Sequence, residues 1–200
     1  MQCPTLPFAA EEFQKLLATV AEMYTDPRGR NGHTAEQLRA RVTAFLLLLR
    51  WSGLRIGDAV SLERARLTDD NRIRLYMAKT GEHVFVLIPA EVAQALRELP
   101  NSNPAYFFWT SRGLVKSVVA SWQRTLRGLF VKAELGKRCH PHMLRDTFAV
   151  HYLEAGMPID QVSMLLGHKS IKVTEKSYAP WVATRQKQLE ASVRKAWATA

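Results

Sequence analysis

The sequence HPHMLRDTFAVHYLEAGMPIDQVSMLLGHKSIKVTEKSY, residues 140–178, combines helix-forming patterns with closely spaced polar side chains. Apolar residues recur in it at helical spacing, and Pro141 and Gly167 suit the start and the end of a helix. The pattern predicts three short helices, over 141–155, 159–166 and 171–177. The polar side chains then lie at helix ends, in connections, or on faces away from the core.

Two of these polar side chains, His142 and Arg145, are three residues apart and share one face of the first helix. Leu144, Phe148 and His151 fall on the roughly opposite side, toward the core. The spacing alone is weak evidence, since an exposed histidine and arginine of no consequence would show it too. The pair is a candidate site only in combination with further residues.

The next two candidates, His168 and Tyr178, flank the third helix. Gly167 places His168 in the tight connection before that helix, and Tyr178 ends the helix ten residues later. A helix-capping role for His168 and an interface role for Tyr178 are the alternatives that these positions leave open.

The composition is that of one globular domain. The chain has 200 residues, 47% of them apolar and 23% charged, which is enough for one well-buried core. No apolar run approaches the roughly 20 residues that span a bilayer, and the N-terminus lacks a signal-peptide pattern, so we expect a cytoplasmic protein. Cys3 and Cys139 are expected to be reduced thiols.

Positive charge is concentrated in the C-terminal half. The net charge is +10; residues 1–100 carry 13 Lys and Arg against 12 acidic residues, whereas residues 101–200 carry 15 against 6. Basic side chains gain affinity for phosphates by releasing counterions, so a polyanion is the expected partner. A basic surface without a partner is the alternative.

An amphipathic helix is predicted over residues 115–130. Its apolar stripe consists of Val115, Val118, Val119, Trp122, Leu126, Leu129 and Phe130. Lys116, Arg124 and Arg127 lie near one another on the opposite face, which could lie against DNA.

Further helices are predicted over 8–24, 34–51, 56–62 and 91–99. The second opens with a capping box at Thr34 and ends at Gly53. Arg55 then lies at the turn into the third helix, where an ordinary surface arginine is the alternative.

The periodicity changes to two between residues 64 and 89. Ile73 and Leu75 point to one face, Arg72 and Arg74 to the other, and turn signals divide the segment into three runs. A small three-stranded antiparallel sheet is therefore predicted. Lys79 lies at a hairpin tip, a position where any exposed turn could carry a lysine.

Five motifs together closely resemble the catalytic domain of the tyrosine recombinases, the phage integrase family. They are SGLRIGD at 52–58, KT at 79–80, HPHMLRDTFA at 140–149, LLGHKS at 165–170 and the segment 174–178. The resemblance covers about residues 5–180. It implies one mainly helical α+β catalytic domain over 1–180 with a three-stranded sheet, followed by a helical segment at 181–200.

The resemblance implies a site-specific DNA recombinase or integrase that cleaves and rejoins strands through a 3′-phosphotyrosyl intermediate. Its active-site residues would be Arg55, Lys79, His142, Arg145, His168 and the nucleophile Tyr178. The two arginines suit phosphate oxygens, since planar guanidinium groups bind them bidentately and stay charged.

The resemblance also assigns the proton transfers. A phenol with an ordinary pKa of about 10 needs a base or a cationic environment to lose its proton, and His142 is the family's candidate base. His168 would donate a hydrogen bond to the phosphate, and Lys79 would protonate the departing 5′ oxygen.

No cofactor and no metal are expected; the covalent intermediate conserves the energy of the phosphodiester, so rejoining needs no nucleotide. The sequence has no Walker-type loop and no acidic cluster for magnesium. The expected partner is double-stranded DNA, on which monomers would assemble into a tetramer. Leu189, Val193 and Trp197 would dock onto a neighbouring copy or pack back onto their own domain.

The sequence departs from the family pattern in three respects. Asp58 replaces a more common glutamate and Asp146 replaces a more common histidine, neither at a catalytic position. The catalytic pattern also begins within the first ten residues. The N-terminal core-binding domain that usually precedes it is therefore expected to be absent.

Three alternatives stay open. Cys139, His140, His142 and His168 have the ligand types of a zinc site, although at an unusual spacing. A type IB topoisomerase uses the same nucleophilic chemistry but swivels and reseals DNA. A catalytically silent DNA-binding module would keep the charge without the reaction. The motifs do not indicate the DNA target, or whether the reaction is integration, excision or resolution.

Overall fold

The helices predicted from the sequence recur in the computed structural model, which describes residues 6–25, 34–136 and 139–198. In chain order the elements are α1 (Ala10–Met23), α2 (Ala35–Ser52), α3 (Ile56–Val60), β1 (Arg72–Tyr76), β2 (His83–Leu87), α4 (Ala90–Arg97), α5 (Val115–Lys132), α6 (Met143–Glu154), α7 (Ile159–Leu165) and α8 (Ile171–Ala198). The predicted class, α+β and mainly helical, is confirmed.

The ends of α2 are fixed by the residues that the sequence indicated. The hydroxyl of Thr34 accepts a hydrogen bond from the Gln37 amide, and the Gln37 side chain accepts one from the Thr34 amide. At the other end Gly53 adopts a left-handed φ of 63° and donates its N–H to the Leu49 carbonyl. Arg55 follows at the position just before α3.

The sheet is an antiparallel hairpin of β1 and β2. Ile73 pairs with Val86 and Leu75 with Val84, and all four side chains are buried. The intervening residues of both strands face away from the core, as the period of two predicts. The Met77 amide donates to the Glu82 carbonyl and closes the turn that carries Lys79.

The first of the three predicted strands, before residue 69, is wrong, because the sheet in the described residues has two strands. Residues Arg64–Arg66 form a turn of 3₁₀ helix, and Leu67 makes only an isolated bridge to Ile73. The Arg66 and Leu67 amides donate to the carbonyls of Glu63 and Arg64, so local hydrogen bonds use the donors that a third strand would need.

An aromatic cluster lies in the core between α2 and α5. Trp122 of α5 stacks on Phe45 of α2, with ring centroids 3.9 Å apart, and Phe108 packs edge-on against both rings. Contacts of this kind add about 0.5–1.5 kcal/mol each beyond the burial of their area. They hold α5 in place, and α5 also packs against α1 and α3.

The helix that contains Tyr178 does not end there. The sequence predicted an end near residue 177, but α8 runs on through Pro180 to Ala198. A proline inside a helix removes one N–H donor and strains the turn before it. Trp181 and Val182 pack against the core directly after Pro180, which favours continuation.

The far end of α8 projects apolar side chains into solvent. Val193 and Trp197 are 47% and 73% exposed, whereas the side chain of Leu189 lies outside those that the structure describes. Among the described residues, no helix combines the length and apolar character needed to cross a bilayer.

Candidate active site

Arg145 is a buried arginine held between two loops. Its side chain is on α6, which packs against α2, α7 and α8. The guanidinium donates to the carbonyls of Gly53 and Leu166, at the ends of α2 and α7. Both acceptors are neutral, and within the described residues Arg145 forms no ion pair. The fold therefore fixes the orientation of this cation without neutralising it.

Gly53 is required for this arrangement. A Cβ on Gly53 would lie 2.5 Å from Cδ1 of Phe148, which is on α6 and fully buried. The close approach brings the end of α2 against α6, so that the Gly53 carbonyl can accept from Arg145. The glycine of the SGLR motif thus positions one arginine of the site and precedes the other.

His168 contacts Arg145 directly. Its Nε2 lies 3.0 Å from Nη2 of Arg145 and its Nδ1 lies 2.7 Å from Oγ1 of Thr174. A guanidinium can only donate, so Nε2 accepts and Nδ1–H donates to Thr174, which defines the neutral tautomer. Burial, followed by the charge of Arg145, lowers the pKa of His168 to about 4. His168 is therefore neutral at pH 7.

The connection before His168 packs against the β-hairpin. Gly167 has a φ of 59°, and a Cβ there would lie 2.7 Å from Cγ2 of Val84 and 2.8 Å from Cγ of Met77. The Thr80 hydroxyl donates to the Gly167 carbonyl at 3.0 Å. The turn that carries Lys79 is thereby held beside His168.

Lys79 is exposed on that turn. It makes no hydrogen bond or ion pair in the part of the chain that the structure describes, so the structure places its backbone near the site but does not join its side chain to it. The Asp58 carboxylate also anchors the turn, by accepting from the Ala78 amide at 2.8 Å.

Arg55 supplies a second, partly buried guanidinium. Its Nη1 is buried and lacks a hydrogen-bond partner among the described residues, which is a costly state for a charged donor. Burial lowers the pKa of Arg55, and nearby Asp58 opposes this. Arg55 lies two residues after Gly53, whose carbonyl accepts from Arg145, and the charge of Arg55 lowers the pKa of Arg145.

His142 lies at the position just before α6, with its backbone already helical. Its side chain is exposed to solvent and makes no hydrogen bond within the described residues. Partial burial lowers its pKa, Arg145 and Arg55 lower it further, and Asp146 raises it. His142 therefore belongs to the same cluster of charges.

Tyr178 is buried, and its hydroxyl donates to Oδ1 of Asp146 at 2.7 Å. Burial, followed by the charge of Asp146, raises the pKa of Tyr178 well above the ordinary phenol value. The pKa of Asp146 is raised by burial, and Oδ2 of this carboxylate has no hydrogen-bond partner among the described residues. The phenol is thus fixed by one carboxylate contact.

The structure therefore brings together five of the six residues predicted for the site and places the sixth, Lys79, on an adjoining turn. In the sequence Asp146 stood out only as a departure from the family pattern, and its contact with Tyr178 was not predicted. One signal was present, because Asp146 is four residues from His142 and so shares its helix face.

The three basic residues predicted to lie against DNA are on α5, away from this cluster. Lys116, Arg124 and Arg127 are exposed, opposite the buried stripe of Trp122 and Leu126. No hydrogen bond joins them to the six candidate residues within the described part of the chain.

The zinc alternative finds no support in the geometry. Across residues 6–25, 34–136 and 139–198, no three His, Cys, Asp or Glu side chains are grouped so that they could hold a metal ion. The thiol of Cys139 donates to the Leu135 carbonyl.

The fold and the charged cluster define a protein of the tyrosine recombinase class. A family model described as the phage integrase family matches residues 8–183, and the chain belongs to this family. Tyrosine recombinase XerC of Erythrobacter litoralis is 31% identical over 150 residues, which are 73% of this chain and 48% of that protein. Tyrosine recombinase XerD of Brucella abortus is 33% identical over 153 residues, which are 70% of this chain and 48% of that protein.

Solved structures with the same fold have lower sequence identity. XerH bound to a palindromic difH substrate, in a post-cleavage complex, superposes with a TM-score of 0.71 at 20% identity, covering 95% of this chain and 53% of that one. The catalytic domain of bacteriophage HP1 integrase gives 0.62 at 20% identity, covering 94% and 93%. The chain spans about half the length of the curated relatives it matches.

Proposed function

We propose that this chain cleaves and rejoins DNA as the catalytic domain of a site-specific recombinase, through a 3′-phosphotyrosyl intermediate. The observation that carries the proposal is the cationic cluster beside Tyr178. Arg145 is oriented by two carbonyls, and the buried Nη1 of Arg55 has no hydrogen-bond partner among the residues that the structure describes. An anion is the ligand that would satisfy both groups.

The scissile phosphate would bind between the two arginines. Two guanidinium groups offer planar donors to the non-bridging oxygens and gain strength as negative charge develops on them. His168 adds its ring beside Arg145, and the phosphate charge would raise its pKa and favour a donating Nε2–H. These residues would stabilise the pentavalent transition state.

The covalent step exchanges one phosphoester for another. The Tyr178 oxygen forms a bond to phosphorus while the bond from phosphorus to the 5′ oxygen breaks, and Lys79 donates a proton to that oxygen. A lysine on an exposed hairpin turn suits this role, because its long side chain can extend to the 5′ oxygen. Rejoining reverses the step with a different 5′ hydroxyl and consumes no nucleotide.

DNA would also contact the basic face of α5. Lys116, Arg124 and Arg127 are exposed on one face of α5, which packs against α3 next to Arg55. Contacts from this face to phosphates would add affinity without base specificity. Exposed Val193 and Trp197 on α8 would contact a neighbouring copy, with monomers assembling into a tetramer on the substrate.

A covalent adduct tests this proposal. The probe is a library of nicked duplexes with a random central region, in which a cleaved short fragment diffuses away and traps the enzyme on DNA. Wild-type protein should give DNA-linked protein under denaturing conditions, and Tyr178→Phe should give none. Tyr76→Phe is the matched control, since Tyr76 is 69% exposed on β1 and should leave the adduct yield unchanged.

The outcomes separate the alternatives. Absence of an adduct with wild-type protein that still binds the library refutes catalysis by this chain and favours a silent DNA-binding module. An adduct accompanied by relaxation of supercoiled plasmid, without recombinant products from the trapped sequence, favours a topoisomerase. The recovered DNA sequence also identifies the cleavage site.

A further inference from the structure

The contact between Tyr178 and Asp146 joins the nucleophile of the proposed reaction to a carboxylate that is not among the six predicted site residues. Resting on the proposed function, we propose that Asp146 is the catalytic base that takes the phenolic proton of Tyr178 during strand cleavage. His142, to which the resemblance assigns this role, would then act as a hydrogen-bond donor to the phosphate.

The geometry favours Asp146 over His142. The Tyr178 hydroxyl donates to Oδ1 of Asp146 at 2.7 Å, which is direct hydrogen-bond reach for proton transfer. In the part of the chain that the structure describes, the His142 ring makes no hydrogen bond. Both Tyr178 and Asp146 are 2% exposed, so bulk water does not compete for the proton.

The environment of Asp146 keeps the carboxylate basic. Its Oδ2 has no hydrogen-bond partner among the described residues, so no further donor stabilises the negative charge of the carboxylate there. Burial raises the pKa of Asp146, while the Tyr178 hydroxyl and the facing charges of His142, His140 and Arg145 lower it. A carboxylate of this kind is a stronger base than one in water.

The proton stays on the phenol until phosphate arrives. In the free protein the pKa of Tyr178 is raised by burial and by Asp146 itself. As the bond from the phenolic oxygen to phosphorus forms, electron density leaves that oxygen and its acidity rises steeply. Transfer to Asp146 is then downhill, and the cost of a separate buried phenolate is avoided.

The O–H bond of Tyr178 breaks and its proton converts Asp146 to the carboxylic acid. The phenolic oxygen bonds to phosphorus, the bond to the 5′ oxygen breaks, and Lys79 protonates that oxygen. On rejoining, Asp146 returns its proton to the phenolic oxygen, and Lys79 accepts one from the attacking 5′ hydroxyl.

Asp146→Asn is the principal test, on the nicked duplex recovered with wild-type protein. Asparagine keeps the shape and can accept the phenolic hydrogen bond, but it cannot take the proton. Single-turnover cleavage should slow by about 10²–10⁴-fold, the usual contribution of a positioned base. Thermal melting and binding of the same duplex serve as folding controls, and Asp146→Glu, which keeps a carboxylate, should retain more activity than the asparagine variant.

A sulfur substrate distinguishes the base from the acid. When sulfur replaces the 5′-bridging oxygen at the scissile phosphate, the leaving thiolate needs no protonation. This substrate should restore cleavage by Lys79→Ala and leave Asp146→Asn slow. Restoration of both variants would overturn the assignment of Asp146 as the base.

The pH dependence separates Asp146 from His142. Wild-type cleavage should slow as pH falls and the carboxylate becomes protonated, which gives an acidic limb in the plot of cleavage rate against pH. Asp146→Asn should lose this acidic limb, and its cleavage rate should instead rise with hydroxide concentration. His142→Gln should keep the limb. Loss of the limb in His142→Gln, or cleavage by folded Asp146→Asn at the wild-type rate or faster, would overturn the inference while leaving the proposed function intact. Absence of wild-type adduct would refute the proposed function itself.

Discussion

Gly53→Ala is expected to destabilise the domain more than an alanine at any open turn, for two separate reasons. Gly53 has a φ of 63°, in the left-handed region that disfavours a Cβ. The new Cβ would also lie 2.5 Å from Cδ1 and 2.9 Å from Cε1 and Cγ of Phe148. Phe148 is fully buried between α6 and the rest of the core, so its ring cannot move aside cheaply.

The two costs have known magnitudes. A non-glycine residue in the left-handed region costs about 1–2 kcal/mol. Overpacking a buried aromatic ring costs a further ~1–3 kcal/mol. The free energy of unfolding should therefore fall by about 2–5 kcal/mol, which is a large share of the ~5–15 kcal/mol typical of a domain.

Gly81→Ala is the matched control. Gly81 has a similar φ of 72°, but a Cβ there would meet nothing within 4 Å. This variant should carry the conformational cost alone, about 1–2 kcal/mol. Urea unfolding followed by far-ultraviolet circular dichroism gives both values, provided that the slope with denaturant stays the same. Equal losses in the two variants would refute the claim that Phe148 crowds the end of α2.

Three further expectations follow from the same contacts. Lys79→Ala should slow single-turnover cleavage by about 10²–10⁴-fold and leave the thermal midpoint unchanged, because Lys79 is exposed and without hydrogen bonds within the described residues. The pKa of His168 is lowered from 6.5 to about 4, so its contribution to stability is present above pH 6.5 and is lost as pH falls through 4. The loss in the free energy of unfolding is at most about 3 kcal/mol, and solvent screening reduces it to about 1–2 kcal/mol. Urea unfolding across that pH range should show this loss in the wild-type protein and not in His168→Ala. Arg127→Ala should weaken DNA binding similarly for unrelated sequences and reduce the slope of log K against log salt by about 1, as measured by fluorescence anisotropy.

The parts of the fold that could be predicted are those set by local rules. The capping box at Thr34, the left-handed end of α2 at Gly53 and the alternation of Ile73 and Leu75 each depend on residues a few positions apart. The candidate site residues were proposed for a different reason, because their motifs occur together in a known family. Neither kind of signal depends on knowing how the helices pack.

The errors arose where tertiary packing or competing local bonds prevail. Alternation between residues 64 and 68 favoured a strand, yet the amides of Arg66 and Leu67 are used in a 3₁₀ turn. Pro180 favoured a helix end near Tyr178, yet α8 continues, because Trp181 and Val182 pack against the core. The contact of Tyr178 with Asp146 could likewise not be predicted from the sequence, because it depends on how α8 packs against α6.

The cationic cluster would bind an anion in the proposed reaction, and in the free domain its groups repel one another. Arg55 and Arg145 each lower the pKa of His168, and Arg55 lowers that of Arg145, so these groups destabilise one another's charged forms. Opposite charges would relieve the repulsion, but the buried carboxylate nearest the nucleophile, Asp146, is used to hold Tyr178. In the proposed reaction a phosphodiester would supply the missing negative charge without taking the position of the carboxylate. The two arginines therefore repel each other, and the Asp146 carboxylate stays charged and apart from them. In the proposed step the phosphate would neutralise the arginines and the proton of Tyr178 would neutralise Asp146.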